Sequence, residues 1–131
     1  MGAARVILVV EEHPELRQVL RDTFAADGYE VLMARDWQEG EEVLRTQVPA
    51  LLVADLAVAP GTTTREQIIR RLRQDFPQLP MVVLDEGELR HPEVYFGSER
   101  KPGYRVLAKP FRLRDLILAS RDVVGQLEDI S

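Results

Sequence analysis

Short apolar runs alternate with longer amphipathic stretches along this chain, and that alternation predicts its elements. Arg5 to Val10 is aliphatic and β-branched and too short for a helix, so it reads as a strand buried on both faces. The run stops at Glu11 and Glu12. His13-Pro14 then opens a helix, because proline suits the first helical position, and Leu16, Val19, Leu20 and Phe24 recur at helical spacing until Gly28 ends it. Tyr29 to Ala34 predicts a second strand, Trp37 to Arg45 a second helix, and Leu51 to Ala54 a third strand that delivers Asp55 at its end. A loop from Leu56 to Thr64, with Pro60-Gly61, leads to a basic-faced helix, Arg65 to Asp75, whose Ile68, Ile69 and Leu72 point inward. Met81 to Leu84 predicts a fourth strand and Arg105 to Ala108 a fifth. A last helix from about Leu113 to Leu127 has an apolar face of Leu116, Ile117, Ala119, Val123 and Val124. Between Glu86 and Tyr104, Pro92, Gly97, Pro102 and Gly103 interrupt any helical pattern, which predicts a fourth helix that is short or missing.

Strands alternating with helices predict an α/β fold: a doubly wound, five-stranded parallel sheet with helices on both faces, built from (βα)5 units. At 131 residues and 45% hydrophobic content the chain suits a single domain, 1–131, with a core from about 5 to 127. The absence of cysteine excludes disulfides, thiolate metal sites and a catalytic thiol. No secretory signal and no apolar run of about 20 residues is present, so a soluble, cytoplasmic protein is expected, with no membrane association. The net charge of −5 argues against direct nucleic-acid binding through phosphate neutralisation.

In open parallel sheets the functional crevice lies outside the carboxyl ends of the strands, which directs attention to Glu11, Glu12, Asp55, Asp85 and Lys109. Each ends or follows a predicted strand. Glu11, Glu12 and Asp55 form a candidate hard-cation site, since Mg²⁺ takes carboxylates together with retained waters. Lys109 balances part of their charge. A carboxylate beside such a cation can attack a phosphoryl group while metal and lysine neutralise the phosphoryl oxygens, and Asp55 is the residue given that role.

Several segments in this order resemble the response-regulator receiver family: Val6-Ile-Leu-Val-Val-Glu11-Glu12, Gly40-Glu-Glu-Val-Leu44, Asp55-Leu56 followed by Pro60-Gly61, Leu79-Pro80-Met-Val-Val-Leu84, and Ala108-Lys109-Pro110-Phe111. The resemblance covers about residues 5 to 127 and implies the flavodoxin-like receiver fold. It further implies phosphotransfer from a histidine kinase or phosphotransfer protein to Asp55, coupled to a change in the surface read by an output domain or protein partner. A monomer or weak homodimer fits the same reading. This chain departs from the family pattern at defined places. Two glutamates replace an aspartate-rich pair, so metal is held in altered geometry or is replaced by a direct glutamate–Lys109 pair. Asp85 stands where the family has a threonine or serine, and an ionised carboxylate there repels an acyl phosphate. The switch aromatic of the fifth strand falls at Val106, with Tyr104 displaced by two residues, and Thr62 to Thr64 stand where a turn glycine is expected.

Other readings of these residues lead elsewhere. Glu11 and Glu12 serve equally as a polar helix start, and Asp85 as a helix or turn cap. His13 reads as an exposed residue before the helix, Trp37 as packing at the start of the second helix, and Arg70, Arg71 and Arg73 as a solvated helix face. The main rival function is a pseudo-receiver, a protein-interaction module that works without phosphorylation. A flavin or nucleotide enzyme is disfavoured because the turn after the first strand, Glu-Glu-His-Pro-Glu, is acidic and lacks glycine. A metal-dependent phosphotransferase or nuclease is disfavoured because Ala57 stands where a second aspartate is wanted. Catalysis beyond self-phosphorylation and self-dephosphorylation is not expected.

Overall fold

The computed structural model describes residues 5–55, 64–86 and 103–130, with side chains to residue 125. Its elements are β1 (Val6–Val10), α1 (Pro14–Ala26), β2 (Glu30–Ala34), α2 (Trp37–Thr46), β3 (Leu51–Asp55), α3 (Arg65–Asp75), β4 (Met81–Asp85), β5 (Tyr104–Ala108) and α4 (Leu113–Ile130). The five strands are parallel and form one sheet in the order β2-β1-β3-β4-β5. This is the doubly wound sheet that the hydrophobic alternation predicts. The interruption predicted between Glu86 and Tyr104 falls at residues 87–102, and that stretch, with the expected fourth helix, lies outside the described residues.

Each strand contributes alternate residues to two cores, because successive side chains project to opposite faces. Leu8, Val10, Leu52, Ala54, Met81 and Val83 pack against Trp37 and Leu44 of α2 and Ile68, Ile69 and Leu72 of α3. Ile7, Val9, Leu51, Val53, Val82 and Leu84 pack against Leu20 and Phe24 of α1 and Leu116, Val123 and Val124 of α4. Among the described residues, no helix is long and apolar enough to cross a membrane.

Local chemistry sets the helix ends. Pro14 starts α1 and Gly28, at φ +93°, follows its end. Asp36 caps α2 by accepting the Glu39 N–H at 2.9 Å. Thr64 forms a capping box with Gln67: its hydroxyl accepts the Gln67 N–H at 3.2 Å and its own N–H donates to Gln67 Oε1 at 2.9 Å. The third threonine of the loop thus starts α3. Gly40 lets α2 approach β1 closely, since a Cβ there would stand 2.8 Å from Val10 Cγ2.

Three expectations need correction. Val19, assigned to the apolar face of the first helix, is 42% exposed, because the face that meets the sheet runs through Leu20 and Phe24. Arg73 is not on a solvated face with Arg70 and Arg71: it is partly buried, directs Nη1 toward the Pro77 and Leu79 carbonyls at 3.4 Å, and burial lowers its pKa to about 10. Tyr104, expected to precede the fifth strand, is the first residue of β5 and is fully buried against the α2/α3 side of the sheet. Val106, two residues on, packs against that same core.

Candidate functional site

The strand alternation that builds the cores also selects which polar residues meet. Glu11 continues the Ile7–Val9 side of β1, and Asp55 the Leu51–Val53 side of β3. Lys109, two residues past Leu107, continues the same side of β5. All three emerge at the carboxyl edge of the sheet on the face covered by α1 and α4. There the Lys109 Nζ donates to Asp55 Oδ2 at 2.6 Å and to Glu11 Oε1 at 2.8 Å. Glu11 has no exposed surface and Asp55 is 3% exposed, so both carboxylates are withdrawn from water and compensated by one shared ammonium. Burial pulls the Lys109 pKa down, but the hydrogen bonds and charges of Asp55 and Glu11 outweigh it and hold the pKa above the ordinary lysine value.

The turn after β1 holds Glu11 in place. Its Oε2 accepts the Glu12 N–H at 3.0 Å, while the Arg17 guanidinium of α1 donates to the Glu11 carbonyl at 2.9 Å and approaches the Glu12 carbonyl at 3.4 Å. Arg17 is the residue that sequence reasoning missed. Its one legible signal is its place in the first turns of the helix that follows the acidic pair. The Glu12 side chain, by contrast, is 57% exposed, with its Oε1 3.9 Å from the exposed His13 imidazole. His13 Nδ1 also lies 3.5 Å from Glu11 Oε2.

The structure therefore brings Glu11, Asp55 and Lys109 together, and Glu12 stands apart. Glu11 pairs directly with Lys109, Oε1 to Nζ at 2.8 Å. Among the described residues no group of three or more acidic, histidine or cysteine side chains is gathered as a metal cage. Mg²⁺, however, is commonly held by one or two carboxylates completed by water, and the pair of carboxylates converging from Glu11 and Asp55 fits that donor chemistry.

Asp85, the last residue of β4, is 8% exposed beside this edge. In the sheet register Asp55 pairs with Leu84, so Asp85 lies one residue beyond on the neighbouring strand. Its backbone carbonyl accepts the Lys109 N–H at 2.7 Å, which ties the end of β4 to the turn that carries the lysine. The loop after Asp55, residues 56–63, lies outside the described residues.

Comparison with known proteins bears on the family and the fold. The family model described as response regulator receiver domain matches residues 7–121. Curated relatives include the response regulator MprA of Mycobacterium ulcerans (31% identical, 94% of this chain and 52% of that protein) and the KDP operon transcriptional regulatory protein KdpE of Escherichia coli (29%, 84% and 47%). The sensor histidine kinase TmoS of Ectopseudomonas mendocina is 31% identical over 84% of this chain and 11% of its own length. The chain thus spans about half or less of these relatives. Among solved structures, a CheY-like receiver domain protein from Methanospirillum hungatei superposes with a TM-score of 0.81 at 16% identity, covering 98% of this chain and 100% of that one. A response regulator receiver protein from Sinorhizobium medicae gives 0.77 at 22% identity, with 95% and 97% covered.

Proposed function

We propose that this chain, which belongs to the response regulator receiver domain family, accepts a phosphoryl group on Asp55 from a histidine kinase or phosphotransfer protein and changes its partner binding in consequence. Domains of this family serve phospho-accepting signal transduction in two-component systems, and they typically bind Mg²⁺ at their acidic pocket. The observation that carries the reading is the 2.6 Å bond between Lys109 Nζ and an almost fully buried Asp55 carboxylate at the mouth of the crevice. An Asp55 oxygen attacks the phosphorus of the donor. A P–O bond forms, the bond from phosphorus to the donor nitrogen or oxygen breaks, and its electron pair leaves with the donor. The Lys109 ammonium turns toward the incoming phosphoryl oxygens and offsets their charge without giving up its proton. Glu11 holds that ammonium beside the acceptor, and Arg17 fixes the turn that carries Glu11. Mg²⁺ would be held by Glu11, Glu12 and Asp55, and would supply further charge neutralisation there.

In this reading the chain works as one receiver domain in the cytoplasm, a monomer or weak homodimer without nucleic-acid or membrane contacts of its own. Its output passes through an attached domain or a protein partner. Its own chemistry is limited to gaining and losing the phosphoryl group. The test is incubation with Mg²⁺ and acetyl phosphate, followed by intact mass. A gain of one phosphoryl group that disappears in Asp55→Asn supports the reading, and the absence of any adduct under conditions that label a working receiver overturns it.

One observation favours a second reading. The buried Asp85 carboxylate ends the strand beside Asp55 at the place of a family hydroxyl, and a carboxylate there opposes an anionic phosphoryl group. A pseudo-receiver that binds partners without phosphorylation is the function that follows if Asp55 stays unmodified.

A further inference from the structure

On the face of the sheet opposite to Asp55, α2 and α3 enclose a cavity of about 120 Å³. Its floor is apolar: Leu44 and Leu72 are buried, Phe76 is half-buried, and the Trp37 indole is 3% exposed. One polar atom there lacks a counterpart. Trp37 Nε1 is buried and has no hydrogen-bond acceptor among the described residues, an arrangement that ordinarily costs folding free energy. The Cε3 edge of the indole faces Gly40, 3.7 Å from where a Cβ would stand. Nε1, on the other edge of the ring, is thereby turned away from Gly40 and β1 to the α3 side, where the cavity lies.

The rim carries Arg45 and Arg71 against Glu41 and Asp75, so its formal charges balance. Arg71 Nη1 donates to Glu41 Oε1 at 2.8 Å, and Arg45 Nη2 lies 3.8 Å from the same oxygen. A cavity whose charges are already matched calls for an uncharged occupant. Trp37 and Glu41 stand one turn apart on the same face of α2, which sets an indole donor beside a carboxylate acceptor. A hydroxyl uses both, since it accepts one hydrogen bond and donates another. An apolar cavity of roughly 150 Å³ admits benzene, so a single ring is the body that fits. From these features we infer that the cavity is a binding site for a small uncharged aromatic alcohol of the size of phenol. Its hydroxyl accepts from Trp37 Nε1 and donates to Glu41, and its ring lies on Leu44, Leu72 and Phe76. The site is separate from the carboxylate crevice, and the inference does not depend on Asp55 accepting a phosphoryl group.

Trp37 is the one tryptophan of the chain, so a single indole N–H resonance reports on the site. The experiment titrates isotope-labelled protein with phenol and, separately, with toluene, which has the same ring and no hydroxyl. Expected with phenol is a downfield shift of the indole proton that saturates in roughly the millimolar range, as befits so small a ligand, with amide shifts confined to α2 and α3. Trp37→Phe keeps a ring and removes the donor. In that variant phenol affinity falls about tenfold, the loss of one hydrogen bond, while toluene affinity, followed by the same amides, changes by less than about threefold. Glu41→Leu, at a partly exposed position whose ion pairs contribute little to stability, lowers phenol affinity by a similar factor and serves where Trp37→Phe does not fold. An indole resonance that stays in place through the titration, or shifts that never saturate, overturns the inference and leaves the donor to an ordered water. So does a phenol affinity that falls no further than that of toluene in the variants, because the cavity then reads only the ring.

Discussion

Lys109→Met removes the ammonium shared by Glu11 and Asp55 while keeping most of the side-chain stem. The two carboxylates, 0% and 3% exposed, are then left without the cation that compensates them. Breaking a buried ion pair by deleting one partner typically costs about 3–5 kcal/mol. The variant is therefore expected to lose about 3–5 kcal/mol of unfolding free energy at pH 7. Paired urea titrations of wild type and variant, followed by far-ultraviolet circular dichroism, measure this directly. A loss under about 1 kcal/mol refutes the claim that the ammonium compensates two buried charges.

The same cation gives the wild type an alkaline dependence. Because its folded pKa is raised, the stabilisation by Lys109 is fully present below the unfolded value of about 10.4 and is lost as pH rises through the folded one; urea midpoints above pH 10 that fall in the wild type and stay flat in Lys109→Met check the sign. Gly40→Ala drives a Cβ to 2.8 Å from Val10 Cγ2, and overpacking of about 1–3 kcal/mol outweighs the roughly 1 kcal/mol of helix propensity that alanine adds, so the thermal midpoint drops. Thr64→Ala removes the capping box of α3 and costs about 1 kcal/mol, read as a lower urea midpoint with unchanged slope.

The sheet and its helices were legible because a period of two in the strands and of 3.6 in the helices leaves few alternatives over segments of this length. The third helix was read to the residue, since Thr64 and the apolar triplet Ile68, Ile69 and Leu72 mark its start and its buried face. Boundaries elsewhere moved by one or more residues. Tyr104 was excluded from β5 because Pro102-Gly103 look like a turn, yet tertiary packing takes up the tyrosine that follows. The convergence of Glu11, Asp55 and Lys109 could be anticipated from strand ends alone. That Glu12 stands apart could not, because adjacent residues at a strand end diverge and the direction of the turn is set by Arg17 from the next helix. Arg73 was misassigned for a related reason. Three arginines in four positions look solvated, and only the packing of α3 against the chain that follows shows which one turns inward.

The measurement that bears most directly on the account is to place the modification on one residue. Wild-type protein treated with acetyl phosphate and Mg²⁺ is reduced with borohydride, which converts an aspartyl phosphate to homoserine, and is then mapped by peptide mass spectrometry. The account predicts homoserine at position 55 and nowhere else. Unreduced aspartate at 55, or homoserine at Asp85 in its place, contradicts it.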